Sequence, residues 1–423
     1  MLEYSQRYGM SKNKLSTEPY KGVRDFFPED QALLNYIIKT WRDACERFGY
    51  VEYSASILEP SDLYKAKGAD NEEIVNEQTY SFTDRGEREV TLRPEMTPTV
   101  ARMVAHKRRE LGYPLRWYSV PNCFRYERPQ RGRLREFWQL NADIFGTRSP
   151  AADAEIIMLA YEILRAFGGK PEDFEIRLGS RAALDLLTTE LGLDDTRKAK
   201  LLGLLDRRNK MPEADFIRAL DDLGVPHGRV LGGDAPKDVA EVLAILETLG
   251  VPNAKYDPSV VRGFAYYTGV VFEVFDTHPD NNRALFGGGR YDNLTQLFDD
   301  EPLPGIGFGM GDVTIRDFLE VRGLLPTYTP PTKVYIAAAS TDVVTNVMQL
   351  AQELRAQGVA VAVDFGERKL GDQIKVAAKH VVPWLIVVGA DEVASGTFGV
   401  KNLATGVTEQ KTRAELASFF LSL

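Results

Sequence analysis

The chain has 423 residues, 44% hydrophobic and 27% charged, and is longer than one hydrophobic core usually organises, so two or three globular domains are expected. A formal charge of −9 excludes a general polyanion binder but leaves room for a local basic patch, because binding follows local potential. Two cysteines, Cys45 and Cys123, and four histidines exclude a disulfide framework and a zinc cluster, and no apolar run approaches the roughly 18 residues of a membrane span.

Residues 1–17 read as a polar extension with no apolar signal core, and the cysteine usage suits a reducing cytoplasm. From 30 to 48, Leu33, Leu34, Ile37, Ile38, Trp41, Ala44, Cys45 and Phe48 recur at helical spacing. The chain then turns strand-like through YVEYSASILEP and continues as REVTLRPEMTPTVARMV. Next comes CFRYERPQRGRLREFWQLNADIFG, residues 123–146, where five arginines crowd into eleven positions from Arg125 to Arg135. A period of two places Cys123, Arg125 and Glu127 on one face, and Phe137, Gln139, Asn141 and Asp143 together, with Trp138, Leu140, Ala142 and Ile144 facing away. That pattern predicts a hairpin with an apolar face and a polar, arginine-bearing face. A helix follows at DAEIIMLAYEILRAFG.

Residues 181–250 are helical and charged and interrupt the strand-rich part as an insertion. Strands return at VVRGFAYYTGVVFEVF and ALFGGGRYDNL, followed by PGIGFGMGDVTIRDFLEVRG. Short loops and few crossover helices favour an α+β core from 18 to 325, with an antiparallel sheet flanked by helices. LLPTYTPPT has the proline content of a linker, and beyond it a β–α–β–α–β rhythm predicts a separate α/β domain over 331–423 with a mostly parallel sheet.

An arginine fork suits phosphate oxygens better than any other side chain, so the hairpin is weighed as a phosphate site ahead of a solvated turn. In TLRPEMTP, Glu95 and Thr97 have an ordinary reading as helix-start charge and cap. The glycine clusters FGGGRYD and GIGFGMGD match no dinucleotide or P-loop fingerprint and suggest only tight strand packing. Arg262 lies in an apolar run, where a guanidinium needs an anionic partner; a structural ion pair and an anionic ligand weigh equally.

Taken in order, YKGVRDFFPED, ILEPSDLY, LRPEMTPT, FRYERPQRGRLREF, RGFAYYTGVVFE, GGGRYD and FGERKLGDQIKVA resemble the histidyl-tRNA synthetases, a branch of the class II aminoacyl-tRNA synthetases. The likeness spans almost the whole chain. It implies a six-stranded antiparallel sheet with helices, a helical insertion and a C-terminal α/β anticodon-binding domain, in a homodimer built around the 30–48 helix and the segment near Pro60. It also implies a cytoplasmic enzyme that joins histidine to ATP, with Mg²⁺ on the triphosphate, and passes the product to histidine tRNA.

By the same resemblance Arg125 and Arg262 hold the α-phosphate from two sides, Arg133 grips the outer phosphates, Glu127 accepts from the adenine amino group or a magnesium water, and Phe137 stacks on adenine. Glu95, Thr97 and Gln139 match contacts to the α-amino group, while Asp143, Tyr266, Tyr267 and Tyr291 border the imidazole. Arg128 and Gln130 match positions that read the extra 5′ nucleotide of the tRNA, and Arg368 and Lys369 match contacts to the anticodon. Arg262 and Tyr267 are five apart, so for both to reach one site the backbone must turn near Gly263.

Three positions depart from the family pattern. Phe264 and Ala265 stand where the signature has Leu-Asp, and the imidazole-facing acid is the short Asp143 rather than glutamate. Motif 3 ends Gly311, Asp312, Val313, Thr314 instead of Gly-Leu-Glu-Arg, which forfeits a cation–π contact of about 1–2 kcal/mol on adenine. The alternative reading is a catalytically inactive, synthetase-like regulatory subunit of histidine biosynthesis. Intact hairpin arginines, Arg262 and the tyrosines argue against it.

Overall fold

The computed structural model describes residues 15–66, 78–208, 211–262, 266–281, 283–298, 301–366 and 368–423, apart from the Asp206 side chain. Most of the N-terminal extension, and the departures at Phe264 and Ala265, lie outside the described residues. The chain forms two compact units, Met1–Pro326 and Thr327–Leu423. No described helix is long and apolar enough to cross a membrane.

In the first unit, Pro28 opens helix α1 (Pro28–Arg47), with Glu29 and Asp30 in its first turn and Arg47 in its last, so its charges complement the helix dipole. Its apolar stripe buries Leu34, Ile37, Trp41, Ala44 and Cys45. Ile37 is 2% exposed, and truncating it to alanine would cost about 2–5 kcal/mol.

The strands of this unit are β1 (Val51–Glu52), β2 (Leu58–Pro60), β3 (Tyr80–Thr83), β4 (Glu89–Leu92), β5 (Leu115–Ser119), β6 (Asn122–Phe124), β7 (Glu136–Phe145), β8 (Phe174–Ser180), β9 (Ala254–Tyr256), β10 (Val270–Asp276), β11 (Ala284–Arg290) and β12 (Gly305–Gly311). The main sheet runs β1-β5-β7-β12-β11-β10-β8-β9, with β6 paired to β7. From β5 to β8 every neighbour is antiparallel, which is the expected six-stranded centre. The edges differ: β1 joins β5, and β9 joins β8, in parallel. Both edge strands are only two or three residues long, too short to show a strand period in the sequence. A small sheet, β2-β4-β3, stands apart.

Helices α2 (Asp62–Lys65), α3 (Thr97–Lys107) and α4 (Pro150–Ala166) belong to this core. The helical segment follows as α5 (Arg181–Glu190), α6 (Asp195–Asp206), α7 (Glu213–Asp222), α8 (His227–Leu231) and α9 (Lys237–Thr248). Leu184, Leu201, Leu204, Phe216, Leu220 and Val230 give α5 to α8 their own apolar cluster. Helix α9 instead buries Val239, Val242 and Leu246 in the main core. Helix α10 (Asp312–Val321) closes the unit.

In the second unit, β13 (Val334–Ala338), α11 (Val344–Ala356), β14 (Val361–Val363), α12 (Leu370–Lys379) and β15 (Trp384–Val388) form the expected succession, with β13 parallel to both β14 and β15. Helix α13 (Ala390–Ser395), the antiparallel hairpin of β16 (Thr397–Asn402) and β17 (Thr408–Thr412), and α14 (Arg413–Leu421) complete it, so the sheet is mixed and its order is β14-β13-β15-β16-β17.

Candidate active site

The pocket lies on one face of β7, β12 and β11. Gln139, Asn141 and Asp143 line it from β7, while Leu140, Ala142 and Ile144 enter the core behind, as the period of two predicts. Opposite them in register stand Gly311, Gly309 and Gly307 of β12. A Cβ on Gly307 would lie 2.1 Å from the Asp143 carboxylate, and one on Gly309 2.9 Å from the Gln139 amide. The glycines therefore leave room for the side chains of the neighbouring strand. Sequence reasoning treated them only as packing; the available signal was glycine at every second residue from Gly305 to Gly311, one pleat face without side chains.

Asp143 is 3% exposed. Tyr291 donates to its Oδ1, whereas Oδ2 is buried without a hydrogen-bond partner. Burial lifts its carboxyl to about 7, against the opposing pull of the Tyr291 bond. An unsatisfied carboxylate oxygen in a pocket wall suits a ligand with an N–H donor.

Glu95 and Thr97 reach the same pocket through the turn before α3. Arg93 anchors that turn, donating to the carbonyls of Asn122 at 2.8 Å and Ala55 at 2.9 Å. Thr97 does not cap: α3 starts at Thr97, with Met96 at the capping position and no side-chain cap. Tyr266 donates to Glu95 at 3.3 Å, and its ring lies 4.8 Å from Tyr267 and 5.9 Å from Tyr291.

Arg262 also lines the pocket. The predicted strand through Arg262 does not form; β10 begins only at Val270, and Arg262 has φ 55°. Arg262 and Tyr267 both line the pocket despite their spacing, and the turn expected near Gly263 lies outside the described residues. Arg262 donates through Nη1 to Glu273 at 2.7 Å, a partner the sequence did not reveal.

The five hairpin arginines do not share a face. Only Arg125 lines the pocket, held by its Nε donation to the Pro94 carbonyl at 2.9 Å, with its guanidinium 5.3 Å from the Phe137 ring centroid. Arg133 is half exposed and donates to Glu127 at 3.2 Å. Arg128 and Gln130 are exposed, and Gln130 pairs with Arg133 across the tip. Arg135 is a structural prop, 8% exposed, donating to the Tyr20 hydroxyl at 3.0 Å beneath the Tyr126 ring at 4.0 Å.

In motif 3, Asp312 is the first residue of α10 and Gly311 holds the capping position. Its carboxylate accepts from Arg24 at 2.7 Å and from the Trp138 backbone at 2.8 Å. Thr314 donates to the Leu285 carbonyl at 2.6 Å, and Arg316 turns away to Asp30 at 3.4 Å.

In the second unit, Arg368 and Lys369 are exposed before α12. Arg368 lines a cleft of about 440 Å³ that also contains Tyr328, Phe365 and the Tyr335–Asp364 hydrogen bond of 2.8 Å. Among the described residues no group of three or more His, Cys, Asp and Glu side chains could hold a metal.

An antiparallel centre with flanking helices, Arg125 reaching its polar face from the hairpin and a strand-to-helix turn at Gly311–Asp312 define the catalytic core of a class II aminoacyl-tRNA synthetase. Residues 22–313 match the family model described as histidyl-tRNA synthetase, and 333–423 match the anticodon binding domain. Two histidine–tRNA ligases are similar: that of Leptospira biflexa, 42% identical over 94% of this chain and 95% of its own, and that of Thermoplasma volcanium, 36% identical over 96% and 98%. The solved histidyl-tRNA synthetase of Nostoc superposes with a TM-score of 0.79 at 23% identity over 97% of this chain and all of the other, and the apo S. aureus enzyme with 0.74 at 26% over 96% and all. The chain belongs to the histidyl-tRNA synthetase family.

Proposed function

We propose that the chain activates histidine with ATP to histidyl-adenylate and transfers the histidyl group to the 3′ end of histidine tRNA. The observation that carries this is the free Asp143 oxygen, braced by Tyr291, in one pocket with Arg125, Arg262 and Glu95. A carboxylate that can take the ring N–H, beside tyrosines that close the pocket, rejects side chains lacking that donor. Glu95, Thr97 and Gln139 receive the α-amino group. The histidine carboxylate oxygen then bonds to the α-phosphorus, and the bond to the pyrophosphate oxygen breaks. Arg125 and Arg262 offset the charge that gathers on the phosphate in the transition state.

Phe137 offers adenine a stacking face, and Glu127 and Arg133, bonded to each other at 3.2 Å, meet the adenine amino group and the outer phosphates. Mg²⁺ would arrive on the triphosphate, where the Glu127 carboxylate could accept from one of its waters. Such an ion neutralises phosphate charge.

In the second step the exposed Arg128 and Gln130 meet the 5′ end of the tRNA, while Arg368 and Lys369 contact its anticodon. We place the protein in the cytoplasm as a homodimer. Val51 at 63%, Leu58 at 41% and Phe82 at 48% exposure supply apolar surface near the expected dimer segment.

ATP–pyrophosphate exchange across the twenty amino acids tests the proposal. Exchange with histidine alone is expected; exchange with none in a folded protein would favour the regulatory reading. A chain ending at Pro326 should keep the exchange reaction and lose most tRNA charging. Unchanged charging would remove the second unit from tRNA recognition.

A further inference from the structure

Glu273 stands at the centre of β10, directly opposite Gly287 of β11 and Arg177 of β8. Arg177 does not use it: that guanidinium turns to Glu175 at 3.0 Å, Asp257 at 3.5 Å and the Phe275 ring at 4.3 Å. Glu273 instead accepts from Arg262 Nη1 at 2.7 Å, and both side chains are largely buried, at 18% exposure for Arg262 and 20% for Glu273. The guanidinium lies over Gly287, where an added Cβ would sit 3.0 Å from Nη1 and 3.2 Å from Cζ. Arg262 Nε is buried with no hydrogen-bond partner. Among the described residues only Glu87, Arg262 and Val381 combine a side chain with positive φ, so the backbone is strained where this arginine enters the pocket.

We propose that Glu273 is a positioning residue for adenylate formation, fixing one arm of the Arg262 guanidinium so that its remaining N–H groups face the reacting carboxylate and α-phosphate. This rests on the adenylation reading above. Arginine carries five donors in a rigid fork, so a bond at one arm orients the rest. Its stem is flexible, and a guanidinium without Glu273 would drift toward the more negative outer phosphates. A misplacement near 1 Å can cost roughly 100-fold in rate. Gly287 makes room for the guanidinium, Glu273 sets its direction, and the strained backbone of Arg262 delivers it from outside the strand.

The test measures histidine-dependent exchange and single-turnover adenylate formation in the full-length protein. Glu273→Gln is expected to lower kcat about 30-fold, with KM for ATP and for histidine changed by less than about threefold. Glu273→Asp keeps the charge but withdraws it by one methylene, and should fall between the two. In an Arg262→Ala background the glutamine change should cost less than about twofold, because the group to be positioned is gone. Losses that multiply in the double variant would show that Glu273 acts independently of Arg262, and a kcat that persists while thermal stability falls would show a purely structural pair. Either result overturns the inference alone. Absence of histidine-dependent exchange in the unaltered chain would overturn the adenylation reading and the inference together.

Discussion

Arg262→Ala should lower histidyl-adenylate formation by about 1000-fold, the scale on which a single preorganised charge donor is worth most in a water-poor site. The side chain lines the pocket, its Nε has no hydrogen-bond partner, and its Nη1 is held by Glu273 at 2.7 Å. Glu273 retains 20% exposure, so solvent can reach the carboxylate left behind and the fold should survive. Single-turnover kinetics with circular dichroism read both quantities. A variant that unfolds, yet whose folded fraction turns over normally, would reduce Arg262 to a structural cation.

Asp143→Asn should raise KM for histidine by about 100-fold or more and KM for ATP by less than about threefold, because a pocket built for a ring donor loses its charged acceptor at that end alone. Asparagine retains an oxygen for Tyr291, so the packing should persist. Equal losses for both substrates would remove Asp143 from the imidazole end.

The same substitution has a pH signature. Burial raises this carboxyl from its ordinary 3.8 to about 7, so between those values the folded protein holds a proton that the unfolded chain has released. The stability contributed by the neutral carboxyl is complete at low pH and is lost as pH rises toward 7. Without histidine, the wild type should therefore lose thermal stability relative to Asp143→Asn between about pH 4 and 7. A pH-independent difference between the two would show that Asp143 does not titrate in this window.

Much of this was legible from periodicity. The alternation from Gln139 to Ile144 separated pocket from core, and the change of rhythm after the proline-rich segment marked a second sheet. What stayed hidden depends on distant strands or on backbone outside the regular regions. The Arg262–Glu273 pair joins a left-handed residue to the middle of a strand, and an apolar run around Arg262 looks like strand whether or not it pairs. The arginines from Arg125 to Arg135 looked equivalent by composition, yet Tyr20 and Tyr126 claim Arg135, and only Arg125 has the Pro94 carbonyl to hold it toward the pocket. The hairpin of β16 and β17 adds an antiparallel edge that the parallel rhythm before it did not suggest.

The bare face of β12 bears on how an inhibitor of this protein would have to be shaped. The Asp143 carboxylate and the Gln139 amide lie over Gly307 and Gly309, so a flat ring entering the pocket meets those polar groups rather than bare peptide planes. Chemical selectivity therefore has to come from substituents matched to Asp143 and Gln139, and to Tyr267 and Arg262 in the same pocket. The glycines also limit resistance: Gly307→Ala would exclude a tight-fitting compound, but its methyl would collide with the Asp143 carboxylate proposed to take the imidazole N–H, so escape by that route should also weaken histidine binding.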